Sequence, residues 1–426
     1  MNPLSRVISA CAVALLVSAC SGESLELNVP AAGSAQQNAG LAWWSKAAMD
    51  AYMNFSARIG SRSGYVVMFA RDGVPVYSNA AGWADIEKQV PMKLDTRMRF
   101  ASMTKPVTAV AAMQLVERGQ LGLDDPVSLY IPEFADARVA ISHEKNAEGT
   151  FDSRPATGPI LVRHLLMFAS GIGPGYSDSD TSELAAHWKA NGPRTHASGA
   201  LADRIAHLGS LPLFEEPGSA WRYGWSADVL ARVVEVASAA PFDSYVERNI
   251  LQPLGMSSTA FRYKLGADVS LATMYTQDAD GDLVSQIPES DSDFPQGGSG
   301  LVSTVEDYMR FALMLWNEGD YQGARVLQPE TVRKMRTLQV PDGVLLEEGI
   351  EGLGWGLGMA VVADADASVL PDRNGDFWWA GYFGTTFFVS PETGLVGVIL
   401  SQNEPGPYSN RPVALYVMQA LAYAGL

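Results

Sequence analysis

The chain has very little cysteine and few basic residues, and each shortage excludes a class of protein. Only two of its 426 residues are cysteines, Cys11 and Cys20, and both lie in the first twenty positions. The rest of the chain therefore cannot form an internal disulfide, and its stability must come from packing. Lysine and arginine number 30 against 47 acidic residues, which gives a net charge of −17. Such a surface repels phosphate backbones, so we expect no nucleic-acid partner.

Metal motifs and long apolar runs are missing as well. After residue 20 no apolar run is long enough to span a membrane. The five histidines have no spacing typical of a metal site. No Gly-x-Ser-x-Gly sequence marks the nucleophile of an α/β-hydrolase. We therefore expect a chemistry carried by side chains alone, with no metal and no cofactor.

The first twenty residues, MNPLSRVISACAVALLVSAC, are typical of an export signal. Their apolar run from Val7 to Val17 is too short to span a bilayer. The ending Val-Ser-Ala-Cys resembles a bacterial lipobox, which predicts a signal peptide of residues 1–19 and lipidation of Cys20. Cleavage at the same place without a lipid is the alternative. Residues 20–40 are small and polar and predict a flexible tether. We expect export to the periplasm, with the lipid as the only link to the outer membrane.

Strand patterns at both ends of the chain enclose a largely helical middle. Residues 64–85 have the pattern of two strands joined by an Asp-Gly hairpin turn. Further strand patterns lie near the C-terminus and are followed by a last helix. This order predicts an α/β domain built from residues 41–119 and 341–426. A mostly helical domain of residues 120–340 is expected between them.

The stretch RFASMTKPVTAVAAMQLVERG, residues 99–119, opens an apolar helix pattern with a serine and a lysine three positions apart. Positions i and i+3 share one face of a helix, so Ser102 and Lys105 are expected to point the same way. A lysine kept neutral by burial or by nearby positive charge can accept the serine proton. The motif alone is weak, because Ser142 and Lys145 repeat it in a polar stretch that predicts a surface loop. Lys105 differs in having almost uncharged neighbours.

Two later segments complete a pattern. Tyr223 lies in PGSAWRYGWSADVL, on a loop before a predicted helix, and Trp379-Ala380-Gly381 lies within a strand pattern. The order of these motifs resembles that of the serine β-lactamase and penicillin-binding-protein family, above all class C β-lactamases and the related family VIII carboxylesterases. The resemblance covers residues 45–426. It implies a β-lactamase-like serine hydrolase fold, α/β (α+β) in class, in which helices flank an antiparallel sheet and a mostly helical domain is inserted.

The resemblance also implies a role for each motif. Ser102 is the expected nucleophile that forms an acyl-enzyme, with Lys105 and Tyr223 as the groups that activate it. Which of the two is the principal base stays open. The expected oxyanion hole consists of the backbone N–H groups of Ser102 and Tyr382, and Gly381 is expected to leave room for substrate beside the strand. The expected substrate-binding residues are Trp225, Trp379, Ala380, Gly381 and Tyr382.

Two departures from the family pattern favour an esterase. The third motif is commonly Lys-Thr-Gly, where this chain has Trp-Ala-Gly, and the second is commonly Tyr-x-Asn, where it has Tyr-Gly-Trp. Both replace a polar substrate contact with an indole, which favours short-chain neutral esters and leaves weak β-lactam hydrolysis possible. A β-lactamase or D-alanyl-D-alanine carboxypeptidase of the cell envelope is the alternative, and a non-catalytic penicillin-binding sensor is the second. The expected partner is a small ester or amide, and the oligomeric state stays open.

Overall fold

The computed structural model describes residues 40–173, 180–193, 200–266, 269–286, 293–340, 351–368, 371–405 and 411–426, with the backbone alone for 411–415. The predicted export signal, the lipidation site Cys20 and nearly all of the predicted tether lie outside these ranges. Within them, no helix combines the length and the apolar character needed to cross a membrane.

The two ends of the chain build one eight-stranded sheet in which every neighbouring pair is antiparallel. In spatial order its strands are β13 (Leu353–Trp355), β14 (Ala360–Val362), β15 (Phe377–Gly381), β16 (Thr385–Val389), β17 (Leu395–Leu400), β1 (Gly64–Arg71), β2 (Val74–Asp85) and β3 (Val90–Pro91). The central strands β16 and β17 are buried along their whole length. Strand β17 is a continuous apolar run, whereas β16 begins with two buried threonines, Thr385 and Thr386.

Helices form the layers around the sheet. They are α1 (Trp43–Arg58), α2 (Thr104–Glu117), α3 (Val162–Leu166), α4 (Glu183–Ala190), α5 (Leu201–Leu208), α6 (Ser226–Ser238), α7 (Phe242–Val246), α8 (Val305–Trp316), α9 (Pro329–Met335) and α10 (Arg411–Ala424). Helix α1 packs against β2 and α10, whereas α8 packs against β17, β16 and β1. Helix α2 packs against α6.

Short strands connect these layers. A three-stranded sheet contains β4 (Met98–Arg99), β10 (Leu301–Ser303) and β7 (Ala260–Phe261). Three hairpins contain β5 (Arg138–Ala140) with β6 (Ser153–Pro155), β8 (Met274–Gln277) with β9 (Leu283–Gln286), and β11 (Asp320–Tyr321) with β12 (Ala324–Arg325). The three-stranded sheet is central to the site, because β4 leads directly to the turn that contains Ser102.

The predicted hairpin and the predicted antiparallel sheet are both confirmed. Asp72 and Gly73 have φ angles of 50° and 80°, the left-handed geometry that a tight hairpin turn requires. Helices on each side of the predicted domain boundaries pack against elements of the other predicted domain. Helix α8 comes from segment 120–340 but packs on the sheet, and α2 comes from the N-terminal segment but packs on α6. Periodicity locates such helices in the sequence but does not indicate which layer they join.

Two buried carboxyl groups, in the segment directly before β15, hold the last helix in place. Asp372 accepts a 2.7 Å hydrogen bond from Gln419 Nε2, and Asp376 accepts one from the Tyr423 hydroxyl, with Gln419 and Tyr423 both on α10. Asp372 is 4% exposed and Asp376 is fully buried. Burial raises the pKa of each carboxyl from 3.8 to about 6 because it disfavours the charged form.

This pair predicts a pH-dependent stability. Since the native pKa is the higher one, the native state keeps its proton between pH 4 and 6 after the unfolded state has lost it. The free energy of unfolding therefore falls as pH rises through this window. Asparagine does not titrate, so Asp376→Asn should not lose stability in this way at position 376. We expect the free energy of unfolding of the variant minus that of the parent to rise by roughly 2 kcal/mol between pH 4 and 7. Urea unfolding at several pH values measures this, with the exposed Asp280→Asn as control. Parallel curves for parent and Asp376→Asn would contradict it.

Candidate active site

Ser102 lies in a 3₁₀ turn, Ala101–Met103, that leads directly into α2. The regular α-helix begins at Thr104, two residues after the serine, so Ser102 lies at the entrance of the helix rather than inside it. Ala101 has a φ of 46°. This left-handed conformation is unfavourable for a residue with a side chain and persists only where the surrounding structure enforces it.

Hydrogen bonds from three distant segments hold this turn in place. Phe100 N donates to Leu301 O on β10 over 2.9 Å, which joins β4 to its neighbour strand. Thr385 Oγ1, at the start of β16, donates to Phe100 O over 3.0 Å. Tyr308 Oη, on α8, donates to Met103 O over 2.7 Å from a fully buried position. The strained turn is therefore fixed from both the sheet and the helical layer.

Lys105 is buried next to Ser102, as the spacing of the motif predicted. Its side chain is on the first turn of α2 and the residue is 2% exposed. The ammonium Nζ donates to Ser102 Oγ over 3.0 Å and to Gly298 O over 2.8 Å. It also lies 4.6 Å from the centre of the Tyr223 ring. The structure thus brings the three predicted catalytic side chains together, although they come from separate parts of the chain.

The second Ser-x-x-Lys sequence has none of these features. Ser142 and Lys145 are exposed and lie in the loop after β5, as the polar sequence around them predicted. The backbone N–H of Lys145 is bonded to Glu183 over 2.6 Å. Burial of the lysine, rather than the motif itself, distinguishes the two copies.

A glycine pair brings a carboxylate close to Lys105. Gly297 and Gly298 lie against α6, where a Cβ on Gly298 would be 2.6 Å from Asp228 Oδ2 and 3.5 Å from Lys105 Nζ. The backbone N–H of Gly298 donates to Asp228 Oδ1 over 3.2 Å. The buried carboxylate therefore lies within about 6 Å of the ammonium, close enough to compensate its charge. The glycine-rich stretch 296–300 resembles a loop that lies near the site in relatives and was expected to shape the pocket, whereas no motif in the sequence indicates Asp228.

Tyr223 lies in a cluster of aromatic rings. Trp379 Nε1 donates to Tyr223 Oη over 3.3 Å, so the third-motif indole contacts the second-motif phenol directly. Trp355 packs edge-on against Trp379, with ring centres 4.5 Å apart. Phe168 and Trp221 lie 4.9 Å and 5.9 Å from the Tyr223 ring. An N–H donor at the phenolic oxygen stabilises its ionised form, and the surrounding rings leave Tyr223 partly exposed.

The third motif presses against the serine turn. A Cβ on Gly381 would overlap Phe100 O and Thr385 Oγ1, so glycine lets the end of β15 approach the chain that leads to Ser102. This backbone contact requires a glycine at the position, and the room expected for substrate beside Gly381 stays a prediction. Tyr382 follows at once and is 41% exposed. Strand β15, which ends directly before Tyr382, contacts the turn that contains Ser102, and the oxyanion hole formed by their two N–H groups stays a prediction.

The predicted substrate-binding residues differ in their exposure. Trp379 and Ala380 are partly exposed on β15, whereas Trp225 is 7% exposed at the N-cap of α6. A Cβ added to Gly192 would lie 3.0 Å from the Trp225 ring. The structure thus places Trp225 against the segment after α4, so that little of its surface is open to a ligand. Its role as a substrate contact stays a prediction.

Several residues of this site could be found only in the structure. Trp221 lies two residues before Tyr223 and Phe168 lies far from it in the chain, and nothing in the sequence indicates that their rings meet the Tyr223 ring. Trp355, Asp228 and Tyr308 follow ordinary strand and helix patterns and carry no motif. The spacing of residues within a short stretch indicates contacts within one helix or strand. Most of the contacts described here join residues that are far apart in the chain.

Comparisons with known proteins agree with this geometry. A family model described as Beta-lactamase matches residues 46–422. The chain is 35% identical to an uncharacterized protein of Mycobacterium tuberculosis over 81% of this chain and 87% of that one. It is 30% identical to esterase EstB of Burkholderia gladioli, covering 83% and 90%. The structure of EstCE1, described as a hydrolase with promiscuous acyltransferase activity, superposes with a TM-score of 0.72 at 28% identity, covering 89% and 99%.

Removal of the hydrogen bond from Trp379 to Tyr223 should change the pH dependence of the reaction of Ser102. Trp379→Phe removes the N–H donor and keeps an aromatic ring, so the ionised phenol is less stabilised. We expect the pH at which a fluorophosphonate labels Ser102 at half its maximal rate to rise by roughly one unit. Trp378→Phe, the neighbouring indole on β15, is the matched control and should leave the profile unchanged. Equal shifts in both variants would contradict the assignment.

Proposed function

Since the chain belongs to the β-lactamase family of serine hydrolases, we propose that it is a carboxylesterase acting on short-chain neutral esters. One observation carries this proposal. Lys105 Nζ lies 3.0 Å from Ser102 Oγ in a site whose third-motif side chain is the indole of Trp379 instead of a cation. The first feature supports acyl transfer to a serine, and the second supports a substrate without a carboxylate.

Tyr223 is the proposed proton acceptor, and Lys105 supplies positive charge. The ammonium of Lys105 donates to Ser102 and to Gly298 O, and the Asp228 carboxylate favours its charged form. A cation beside the phenol and the Trp379 N–H at its oxygen both favour the phenolate of Tyr223. This arrangement supports tyrosine, rather than lysine, as the proposed base.

The proposed reaction has two half-reactions. Ser102 Oγ attacks the ester carbonyl carbon and its proton passes to the Tyr223 oxygen, while the N–H groups of Ser102 and Tyr382 stabilise the negative oxygen. The intermediate collapses, and the alkoxide leaves with the proton from Tyr223. Water then attacks the acyl-enzyme carbonyl and gives one proton to Tyr223, which passes it to Ser102 Oγ as the acid is released. Each half-reaction returns Tyr223 to the phenolate from which it started.

The aromatic surroundings support a preference for neutral substrates. Where relatives of the lactam-directed type hold a substrate carboxylate with a lysine, this chain offers the Trp379 indole with Trp355 packed against it. Loss of a charge-assisted hydrogen bond lowers affinity for a carboxylate by about 1.5 to 3 kcal/mol. Rings of this kind instead favour an apolar acyl or alcohol group.

The proposal predicts which substrates are turned over. We expect kcat/KM for p-nitrophenyl acetate and butyrate to exceed that for a chromogenic cephalosporin by at least about 100-fold. This factor corresponds to the upper end of the free energy that is lost with the carboxylate contact. Esters of increasing acyl length measure the size of the pocket. Ser102→Ala gives the background rate, and the exposed Ser142→Ala is the matched control that should keep full activity.

Two results would contradict the proposal. A larger kcat/KM for the cephalosporin would assign the protein to the β-lactam hydrolases despite its indoles. Stable labelling by a penicillin with no turnover of any ester would favour the non-catalytic sensor. Ser102→Ala would abolish cephalosporin hydrolysis in the first case and penicillin labelling in the second. The substrate class and the nucleophile are therefore tested separately.

A further inference from the structure

Helix α1 exposes several large apolar side chains on the side turned away from the sheet. Its buried residues are Ser45, Met49, Met53 and Ser56, which pack toward β2 and α10. The opposite side carries Trp43 (78% exposed), Trp44 (42%), Ala47, Ala51, Phe55 (39%) and, directly after the helix, Ile59 (59%). Positions 44, 47, 51, 55 and 59 recur at the spacing of a single helix face. We call these six outward residues the α1 face.

Charge on this helix is opposite to that of the whole chain. Helix α1 contains Lys46 and Arg58 and a single acidic residue, Asp50, whereas the chain has a net charge of −17. The Asp50 carboxylate is bonded to Tyr77 Oη over 2.7 Å and to Asn79 Nδ2 over 2.6 Å, both on β2. It is therefore turned toward the sheet. The α1 face presents tryptophan, aliphatic groups and cationic neighbours, with no carboxylate among its six residues.

Four large apolar side chains of the α1 face are exposed, namely Trp43, Trp44, Phe55 and Ile59. A monomeric protein rarely exposes a contiguous apolar surface unless it binds a partner or a membrane. Tryptophan has an apolar body and a polar N–H, which suits the boundary between lipid headgroups and acyl chains. Basic side chains beside such an apolar face add attraction to anionic lipids. The composition of the α1 face matches a lipid surface in both respects.

The position of the helix in the chain supports the same occupant. Residues 21–42 separate Trp43 from Cys20, the predicted lipidation site. A polar tether of this length, as the sequence predicts, spans roughly 25 Å on average. Such an anchor would keep the α1 face at a high local concentration near the bilayer. One lipid signal alone gives weak attachment, and a second contact stabilises it.

We infer that the α1 face docks on the headgroup region of an anionic bilayer, with Trp43 and Trp44 inserted at the boundary with the acyl chains. This docking adds a protein contact to the predicted lipid anchor and orients the enzyme relative to the membrane. The inference goes beyond the proposed function and does not depend on it, since no residue of the α1 face lies in the catalytic site.

A vesicle-binding experiment separates this contact from the anchor. The Cys20→Ala chain, expressed with its own export sequence and recovered from the periplasm, cannot carry the lipid. It is mixed with vesicles of phosphatidylglycerol and phosphatidylethanolamine and sedimented. The test variant adds Trp43→Ser and Trp44→Ser. The matched control adds Leu129→Ser and Ile141→Ser, which replace two side chains that are 67% and 66% exposed elsewhere on the surface.

The expected result is binding of the Cys20→Ala chain, lowered at least tenfold by the tryptophan pair and less than twofold by the control pair. Thermal unfolding and hydrolysis of p-nitrophenyl butyrate should be equal in all three chains. Absence of binding, or equal loss in both double variants, would overturn the inference. So would self-association that depends on the two tryptophans while vesicles stay unbound, because the occupant would then be a second copy. An enzyme inactive on esters would leave the vesicle result unaffected.

Discussion

The Lys105 ammonium is buried in the interior of the molecule, 2% exposed, and each part of the surrounding fold supplies one of its partners. Removing an ammonium from water is costly unless hydrogen bonds and opposite charge replace the lost hydration. Here Ser102 Oγ and Gly298 O accept its protons, the Tyr223 ring faces it and Asp228 lies close behind the glycine loop. The same contacts that make the buried charge tolerable also bring the nucleophile and the proposed base together.

The layers of the fold differ in what they contribute. Helix α2 carries the lysine, α6 carries the carboxylate, and the glycine loop between them must lack side chains for the three to meet. The sheet contributes rigidity, because β15 and β16 press on the serine turn through Gly381 and Thr385. Tyr308 on α8 holds the turn from the helical side. The left-handed φ of Ala101 is maintained by these neighbours, which keeps Ser102 at the entrance of α2.

Local patterns in the sequence predicted helices and strands, but they did not predict contacts between residues that are far apart in the chain. The 64–85 hairpin and the helix that begins after Ser102 follow from turn chemistry and apolar periodicity, which act within a few residues. The meeting of Ser102, Lys105 and Tyr223 was expected because three motifs occur in a known order. Trp379 was expected to contact substrate, yet its N–H also reaches the Tyr223 oxygen, a contact across 156 positions of the chain. No spacing rule reports such contacts, because they depend on how separate layers pack.

The proposed hydrolysis depends on a covalent acyl-enzyme at Ser102, and this intermediate can be trapped during turnover. Rapid acid quenching during turnover of p-nitrophenyl butyrate, followed by digestion and mass spectrometry, locates any acyl group on the chain. We expect a butyryl mass on the peptide that contains Ser102, formed at the rate of the p-nitrophenol burst, and none on the peptide that contains Ser142. A burst of product with the acyl group on another residue, or turnover with no acylated peptide at any time, would contradict it.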